Sequence, residues 1–538
     1  MNRIWWKEAV AYQIFPRSFC DSNGDGIGDL PGILTKLDHL ESLGVKIVWL
    51  CPMYRSPMDD NGYDISDYQQ IQPEFGTMYD FDALLSAMHA RGMKLIVDLV
   101  VNHTSDEHPW FLESRSSRES SKRDWYLWRD GKEGKEPNNW ESIFGGSAWK
   151  LDEATGQYFL HLFSARQPDL NWDNAGMREE IYRMIRWWLD KGVDGFRLDA
   201  ISHMKKEPGL PDLPNPEGLR YVPSYPMHMN RPGVLDYLRE MSRETFAKYD
   251  VVTVGEANGV TSHDANEWVG EGPERLSMLF QFEHLGLWNR DPANRIDLPR
   301  LKDALTRWQK SGVWNALYVE NHDVPRIVSS WGDEGNFWRE SATCIAALYF
   351  LMRGTPFIYQ GQEIGMTNTV FRRLEDFDDV RAKNLFRGRR EADWSDERIL
   401  AELGPTSRDN ARTPMPWSAE SNAGFSAGRP WLAVNPNFPR INVAAQEKNP
   451  RSVLNFYRAL AKLRASREVF VYGEYELLLP KHPQVYAYER RLGEERVAVV
   501  CNLSGSEAAC ELDGELLLGN YEGTANRLWP FEARVLKL

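Results

Sequence analysis

A chain of 538 residues exceeds what a single hydrophobic core organises, so two or three domains are expected. Hydrophobic residues make up 42% and charged residues 26%, an ordinary globular composition, and no run of 18 apolar residues exists to span a bilayer. With 64 Lys+Arg against 78 Asp+Glu, the net charge of −14 repels phosphate backbones and argues against a nucleic-acid partner, whereas a neutral sugar would not feel it.

The chain opens MNRIWWKEAV, with Lys7 and Glu8 where a signal peptide needs an apolar run. Short apolar runs then alternate with stretches of helical period. The runs are 10–15, 47–50, 95–101, 195–199, 251–255, 279–282, 317–319 and 356–359, and each predicts a strand. Between them lie predicted helices, including 33–43, 178–190, 234–247 and 337–352. Eight strands each followed by a helix predict an α/β fold, a TIM (β/α)8 barrel over 1–103 and 173–462. Residues 104–172, rich in Trp, Ser and charge, are too long for a loop and predict an inserted subdomain after strand three. A second insert, about 367–439, follows strand eight. From 463 to 538 short alternating runs (VFVYGEYELLL, VYAYERRL, ERVAVVCNL) predict a C-terminal antiparallel β-sandwich domain.

The five cysteines (Cys20, Cys51, Cys344, Cys501, Cys510) are odd in number, scattered, and lack CxxC spacing. They read as buried reduced thiols of a cytoplasmic protein, with only proximity in sequence to suggest a Cys501–Cys510 bridge.

In TIM barrels the chemistry sits at the C-terminal ends of the strands. Strand three here ends Asp98-Leu-Val-Val-Asn102-His103, and strand four carries Arg197 and Asp199. Strand five ends in Glu256 and Asn258, and strand seven in Glu320-Asn321-His322-Asp323. Side chains alternate along a strand, so Arg197 and Asp199 should both enter the barrel mouth, the guanidinium holding the carboxylate ionised. Glu256, one strand along, should face Asp199 and keep its proton because Asp199 and Asp323 are charged nearby. Two carboxyls roughly 5–5.5 Å apart make a retaining glycosidase. Taken singly, the Asp199–Arg197 pair, His103 and His322 all have structural readings, and Glu320 reads as a satisfied rim carboxylate.

The segments DLVVNH (98–103), GFRLDA (195–200), GEAN (255–258) and ENHD (320–323) resemble, in order, the signature regions of the α-amylase family of glycoside hydrolases. QPDLNW (167–172) resembles its fifth region in the form of the oligo-1,6-glucosidase and α-glucosidase group, and the resemblance covers essentially the whole chain. It implies Asp199 as nucleophile, Glu256 as acid/base and Asp323 as transition-state stabiliser, with His103, Arg197 and His322 on the cleaved sugar. NGYDISDY (61–68) resembles the loop whose Tyr stacks on the terminal glucose and whose Asp binds its hydroxyls, here Tyr63 and Asp64. SRDNARTPMPW (407–417), with Pro416 where Gln is usual, implies that Arg408 or Arg412 pairs with Asp64 and closes a dead-end pocket. Ala200, in place of valine after the nucleophile, points to α-1,4 or mixed linkage preference.

The expectation is thus a retaining exo-α-glucosidase acting on short α-glucosides, with maltose and maltooligosaccharides favoured. The alternatives with the same residues are a transglucosylase, a sucrose isomerase, or an oligo-1,6-glucosidase. Trehalose-6-phosphate hydrolase would want a basic patch beside the acceptor site. A non-catalytic scaffold would have lost the carboxylates and carried a membrane helix, and a metallohydrolase would want an HxH pair. The expected partner is a small oligosaccharide, with no membrane, and the chain is expected as a monomer or homodimer.

One loop suggests a metal. Asp21, Asn23, Asp25, the Ile27 carbonyl and Asp29 place oxygens at alternate positions, with Gly26 at the turn as in an EF-hand, although position twelve is Gly32. Family members resemble it and bind Ca²⁺ there, so a structural Ca²⁺ is expected, with Mg²⁺ as a substitute and no organic cofactor. Most of the 21 tryptophans, including Trp110, Trp125, Trp128, Trp140, Trp149 and Trp172 of the first insert, are expected in packing rather than on sugar.

Overall fold

The eight apolar runs become eight parallel strands in the computed structural model, which describes residues 3–288, 295–523 and 526–538. These are β1 (Ala11–Ile14), β2 (Ile47–Leu50), β3 (Lys94–Val100) and β4 (Gly195–Asp199). The remaining four are β5 (Val252–Glu256), β6 (Met278–Phe280), β7 (Ala316–Leu317) and β8 (Thr355–Tyr359). Their order is β6-β5-β4-β3-β2-β1-β8-β7, and a parallel bridge from Leu279 to Asn315 joins the two ends into a barrel. Every residue of β1, β2, β4 and β8 is buried, as expected for strands covered on both faces. β7 is shorter than its apolar run and lies earlier, and β6 stops before Phe282. There the Tyr318 hydroxyl donates to the Gln281 carbonyl oxygen (2.8 Å), so a side chain replaces the ladder.

Two local features set the register of the site. Gly195 adopts φ +147°, and a Cβ there would lie 1.9 Å from the Val252 carbonyl oxygen, so only glycine lets β4 and β5 approach. The helix Ala175–Lys191 that feeds β4 is capped by Asn174 and ended by Gly192 at φ 106°. It buries Met177, Ile181, Ile185, Trp188 and Leu189 at helical spacing against the barrel.

The single helix expected over 33–43 is two, Leu30–Leu34 and Leu37–Ser42. Asp29 caps the first, and the Thr35 hydroxyl bonds back to the Gly32 carbonyl oxygen, which competes with propagation.

The first insert forms a subdomain with a helix at Pro109–Ser114 and a three-stranded antiparallel sheet of Trp128–Asp130, Gln157–Leu160 and Trp149–Asp152. It recruits a segment absent from the sequence reading: Val222–Pro223, after β4, pairs with Trp140–Glu141. The second insert carries the helices Val380–Glu391 and Asp396–Leu403 and the turn Asp409–Arg412.

The expected domain boundary at 463 moves. The helix Val453–Ser466 runs across it, and VFVY (469–472) is a helical turn rather than a strand. Val469 and Phe470 are wholly buried there, and the Phe470 carbonyl oxygen accepts from both Arg464 and Arg490, so tertiary packing overrides β propensity. The antiparallel sheet begins with β9 (Glu474–Leu478) and continues with β10 (Val485–Leu492), β11 (Glu495–Asn502), β12 (Glu515–Gly519) and β13 (Ala533–Lys537). Its order is β9-β10-β11-β13-β12, with a second, two-stranded sheet of Ala508–Ala509 and Arg527–Leu528. All five cysteines are free and buried, so no Cys501–Cys510 bridge forms. Among the described residues no helix is long and apolar enough to cross a membrane.

Candidate active site

The parallel register pairs Arg197 with Asp98 on β3 and Leu198 with Gly255 on β5, which sets Asp199 beside Glu256 at the strand ends. Arg197 Nη1 contacts Asp98 Oδ1 and Asp199 Oδ1, both at 2.6 Å, and Nη2 contacts Glu256 Oε2 at 2.8 Å. One buried guanidinium therefore serves three carboxyls. Ala200, at φ +48°, donates its N–H to Glu256 Oε2 (3.0 Å).

Arg197 acts to lower Asp199, as expected, but the expectation that it leaves the carboxyl ionised is overturned. Burial pushes the Asp199 carboxyl well above the usual carboxylate range; Arg197 opposes it, while Glu256 and Asp98 reinforce it. Arg197 bridges Asp199 and Glu256 through its two terminal nitrogens, so the two carboxyls stand side by side on one guanidinium. Two donors, Arg197 and the Ala200 N–H, point at Glu256 Oε2.

Asp323 is the third carboxylate at the mouth. Arg412 (2.9 Å), Arg408 (3.3 Å) and His322 Nε2 (3.1 Å) surround it, and their charges outweigh burial to hold it well below the ordinary range. His322, pushed down to about 3 by burial, stacks on Tyr63 with ring centroids 5.2 Å apart and is held from behind by Gln13 (2.8 Å). His103, pushed down to about 4 by burial, touches the Tyr63 carbonyl oxygen and Gln167, each at 3.2 Å. Glu320 is no rim carboxylate: it is buried, pairs with Arg326 (3.0 Å) and also accepts from the Ile327 N–H.

At the bottom of the pocket the sequence chose the wrong aspartate. Asp64 is wholly buried, accepts the backbone N–H groups of Asp59 (2.8 Å) and Asp60 (3.0 Å), and meets neither arginine. Burial raises it to about 7. Asp60 is the residue on the cavity wall, and Arg408 Nη2 binds it at 2.9 Å while also meeting Asp379 at 2.5 Å. Arg412 is fully buried behind Asp323 and donates from Nε to the His322 carbonyl oxygen (3.0 Å). Pro416 leaves both arginines in place, as expected. The turn Asp60-Asn61-Gly62, with Gly62 at φ 102°, was the available sign that Asp60 is presented by a loop tip.

Asp199, Glu256, Asp323, Asp60, Tyr63, His103, Ala200 and Arg408 line one cavity of about 910 Å³ including its mouth. Arg197, His322 and Arg412 stand behind its wall. The sequence reading missed the rest of the lining: Phe144 and Phe163 from the first insert, His203 after β4, Tyr225, Phe282, and Arg381 from the second insert. No tryptophan lines it, in keeping with the expected packing role.

In the loop 21–29, Asp21 Oδ1 accepts the N–H groups of Asn23 and Gly24, Asn23 Oδ1 that of Asp25, and Asp25 Oδ1 that of Ile27. Asp29 caps the following helix through Gly32 and bonds Ser22. Among the described residues no three His, Cys, Asp or Glu side chains close on a common metal position. The loop offers oxygens of the right kind, in turn geometry rather than converged.

Residues 13–473 match the α-amylase catalytic domain, and 475–526 match the maltogenic amylase C-terminal domain. The chain is 54% identical to a probable oligo-1,6-glucosidase 3 of Bacillus subtilis strain 168, over 99% of both chains. It is 50% identical to an oligo-1,6-glucosidase of Parageobacillus thermoglucosidasius over the full length of both. Among solved structures, the trehalulose synthase of Pseudomonas mesoacidophila superposes with a TM-score of 0.93 at 42% identity, covering all of both chains. A matched catalytic domain over most of the chain and such full-length relatives establish that this protein belongs to the α-amylase family of glycoside hydrolases.

Proposed function

We propose that the protein is a retaining exo-α-glucosidase that releases glucose from the non-reducing end of short α-glucosides. The observation that carries this is the Asp199–Glu256 pair, bridged by one Arg197 guanidinium on the wall of a cavity that Asp60 and Arg408 also line. Two carboxyls that share one guanidinium suit the roughly 5–5.5 Å of a retaining pair better than the roughly 6.5–9.5 Å at which an inverting pair holds a water between its members.

In this reading Glu256 carries a proton when the sugar binds and Asp199 is the free carboxylate. Glu256 then gives that proton to the glycosidic oxygen as the bond to the leaving sugar breaks, and Asp199 attacks the anomeric carbon to form a glucosyl ester. Glu256, now ionised, takes a proton from water, whose oxygen attacks the same carbon and releases Asp199. Asp323, kept ionised by Arg408, Arg412 and His322, stabilises positive charge on the ring. The Asp60–Arg408–Asp379 contact closes the pocket behind the terminal glucose, so a polymer cannot thread through.

The room left by Ala200 favours α-1,4 linkages. The names of the relatives favour α-1,6 as the second reading, and the trehalulose synthase shows that a close fold supports transfer to sugar. Product anomers followed by NMR on maltose and isomaltose test the proposal: the α anomer should appear first, and initial β-glucose would overturn it.

The loop 21–29 is proposed to take Ca²⁺, with Mg²⁺ as a substitute, in a structural role. Burial, and in smaller part the charge of Asp21, raises Asp29, and a cation would offset both. Chelation should lower Tm by a few degrees and added Ca²⁺ restore it; an unmoved Tm would exclude the site. A cytoplasmic location is proposed on the five buried free thiols, and a monomer or homodimer as the assembly.

A further inference from the structure

His203 on the cavity wall and the buried His228 and Ser224 behind it form a relay that the reaction above leaves unused. Ser224 Oγ lies 2.7 Å from the Glu141 carbonyl oxygen, which can only accept, so the hydroxyl proton points there. The Ser224 oxygen must then accept from His228 Nε2, 3.0 Å away. Burial holds His228 neutral, its pKa well below the ordinary imidazole value, so a proton on Nε2 leaves a lone pair on Nδ1. His203 Nδ1, 2.9 Å from that lone pair, is therefore the donor. His203 is also neutral, lowered to about 4 by burial and by the charge of Lys206. Its second nitrogen, Nε2, is consequently a bare acceptor.

His203 lines the cavity, and Nε2 is not among the buried unpaired atoms, so it keeps contact with the open space. Its position within the cavity follows from a chain of ring contacts. Arg408, at the closed end, lies 4.9 Å from the Phe144 ring, Phe144 is 5.6 Å from Phe163, and Phe163 is 6.0 Å from His203. Tyr225 follows at 6.4 Å. His203 bonds back to the carbonyl oxygen of Ala200, whose own N–H holds Glu256, and the adjacent Ser202 binds the Asn258 carbonyl oxygen, so His203 stands on the side of the acid/base, where the leaving sugar departs.

We infer that His203 Nε2 accepts a hydrogen bond from one hydroxyl of the sugar on the leaving-group side, and that Ser224 and His228 fix the tautomer that allows it. This deepens the proposed exo-glucosidase and rests on that reading. The relay makes the enzyme prefer a leaving or accepting sugar that carries a free hydroxyl donor at that one position.

The test uses the disaccharide that the wild-type enzyme cleaves fastest, maltose or isomaltose, and its analogues with each reducing-end hydroxyl replaced in turn by hydrogen or by fluorine. Fluorine can accept weakly but cannot donate. At one position both analogues should lose roughly three- to tenfold in kcat/KM relative to the same ratio measured in His203→Ala, one hydrogen bond's worth. The comparison with the variant cancels the intrinsic leaving-group effect of fluorine. Cleavage of every fluoro analogue as efficient as that of the parent would overturn the tautomer assignment. So would a loss that persists undiminished in His203→Ala. The wild-type deoxy-against-fluoro comparison stands even if the variant does not fold. Failure of the wild type to cleave either disaccharide would instead overturn the exo-glucosidase reading, and the inference with it.

Discussion

The two ends of the cavity are built from opposite chemistry. The closed end is ionic: Arg408, only 7% exposed, touches Asp60, Asp323 and Asp379, which come from three separate segments of the chain. The open end is mainly aromatic: Phe163, Tyr225 and Phe282 line it with a His203 that burial keeps uncharged, and Arg381 lies near Tyr225. Buried charges in a cross-braced network tolerate only one arrangement, because removing one partner strands another. Aromatic faces and a single imidazole acceptor tolerate several sugars. The difference assigns strict selection to the glucose that is cleaved and adjustable selection to what it is attached to, which accords with relatives that share the fold but differ in named activity.

The largest effect expected is at the junction of the two ends. Asp199→Ala should lower kcat by on the order of 10⁴-fold or more, with an unchanged circular dichroism spectrum; residual turnover near wild type would move the nucleophile elsewhere. At the closed end, Arg408→Ala strands three carboxylates and should destabilise the fold by about 3–5 kcal/mol in urea titration. A loss below about 1 kcal/mol, the scale of a surface pair, would show the closed end to be no more braced than the open one.

The pH dependence of stability sharpens the correction at Asp64. Its carboxyl lies at about 7 in the folded chain, against roughly 3.9 when unfolded. Because the folded value is raised, the folded state binds this proton more tightly. The stabilisation is complete below about pH 4 and is lost as pH rises through 7. Asp64→Asn should therefore flatten the fall in Tm between pH 4 and 7 relative to wild type, and parallel curves would show Asp64 to be ionised throughout. The smallest effect belongs to the open end. Ala200→Val should raise the isomaltose-to-maltose ratio of kcat/KM by roughly fivefold, about 1 kcal/mol; an unmoved ratio would remove Ala200 from linkage selection.

The barrel and the side-by-side placement of Asp199 and Glu256 were legible in the residues because strand alternation is a local rule. Once β4 is a strand, Arg197 and Asp199 share a face, and Glu256 follows one strand along. The choice between Asp60 and Asp64 was not legible. Both lie in the same turn near Tyr63, and which one faces the cavity depends on Arg408, about 350 residues later in the chain. The strand assigned to 469–472 failed for a similar reason: Val469, Phe470 and Val471 have β propensity, but two arginines from elsewhere claim the Phe470 carbonyl oxygen. Asp199 also shows the limit of a pairwise argument, since Arg197 was expected to act on one carboxylate and is shared among three.

Local order along the chain, then, was enough for the eight strands, the two inserts and the gathering of Asp199, Glu256 and Asp323 at the barrel mouth, because periodicity and motif spacing are written in neighbouring residues. Protonation and the walls of the pocket were settled only on folding. A proton's place depends on every charge within a few ångströms and on the loss of water around them, and Phe163, Tyr225, His203 and Arg381 meet only after distant inserts close over the barrel mouth.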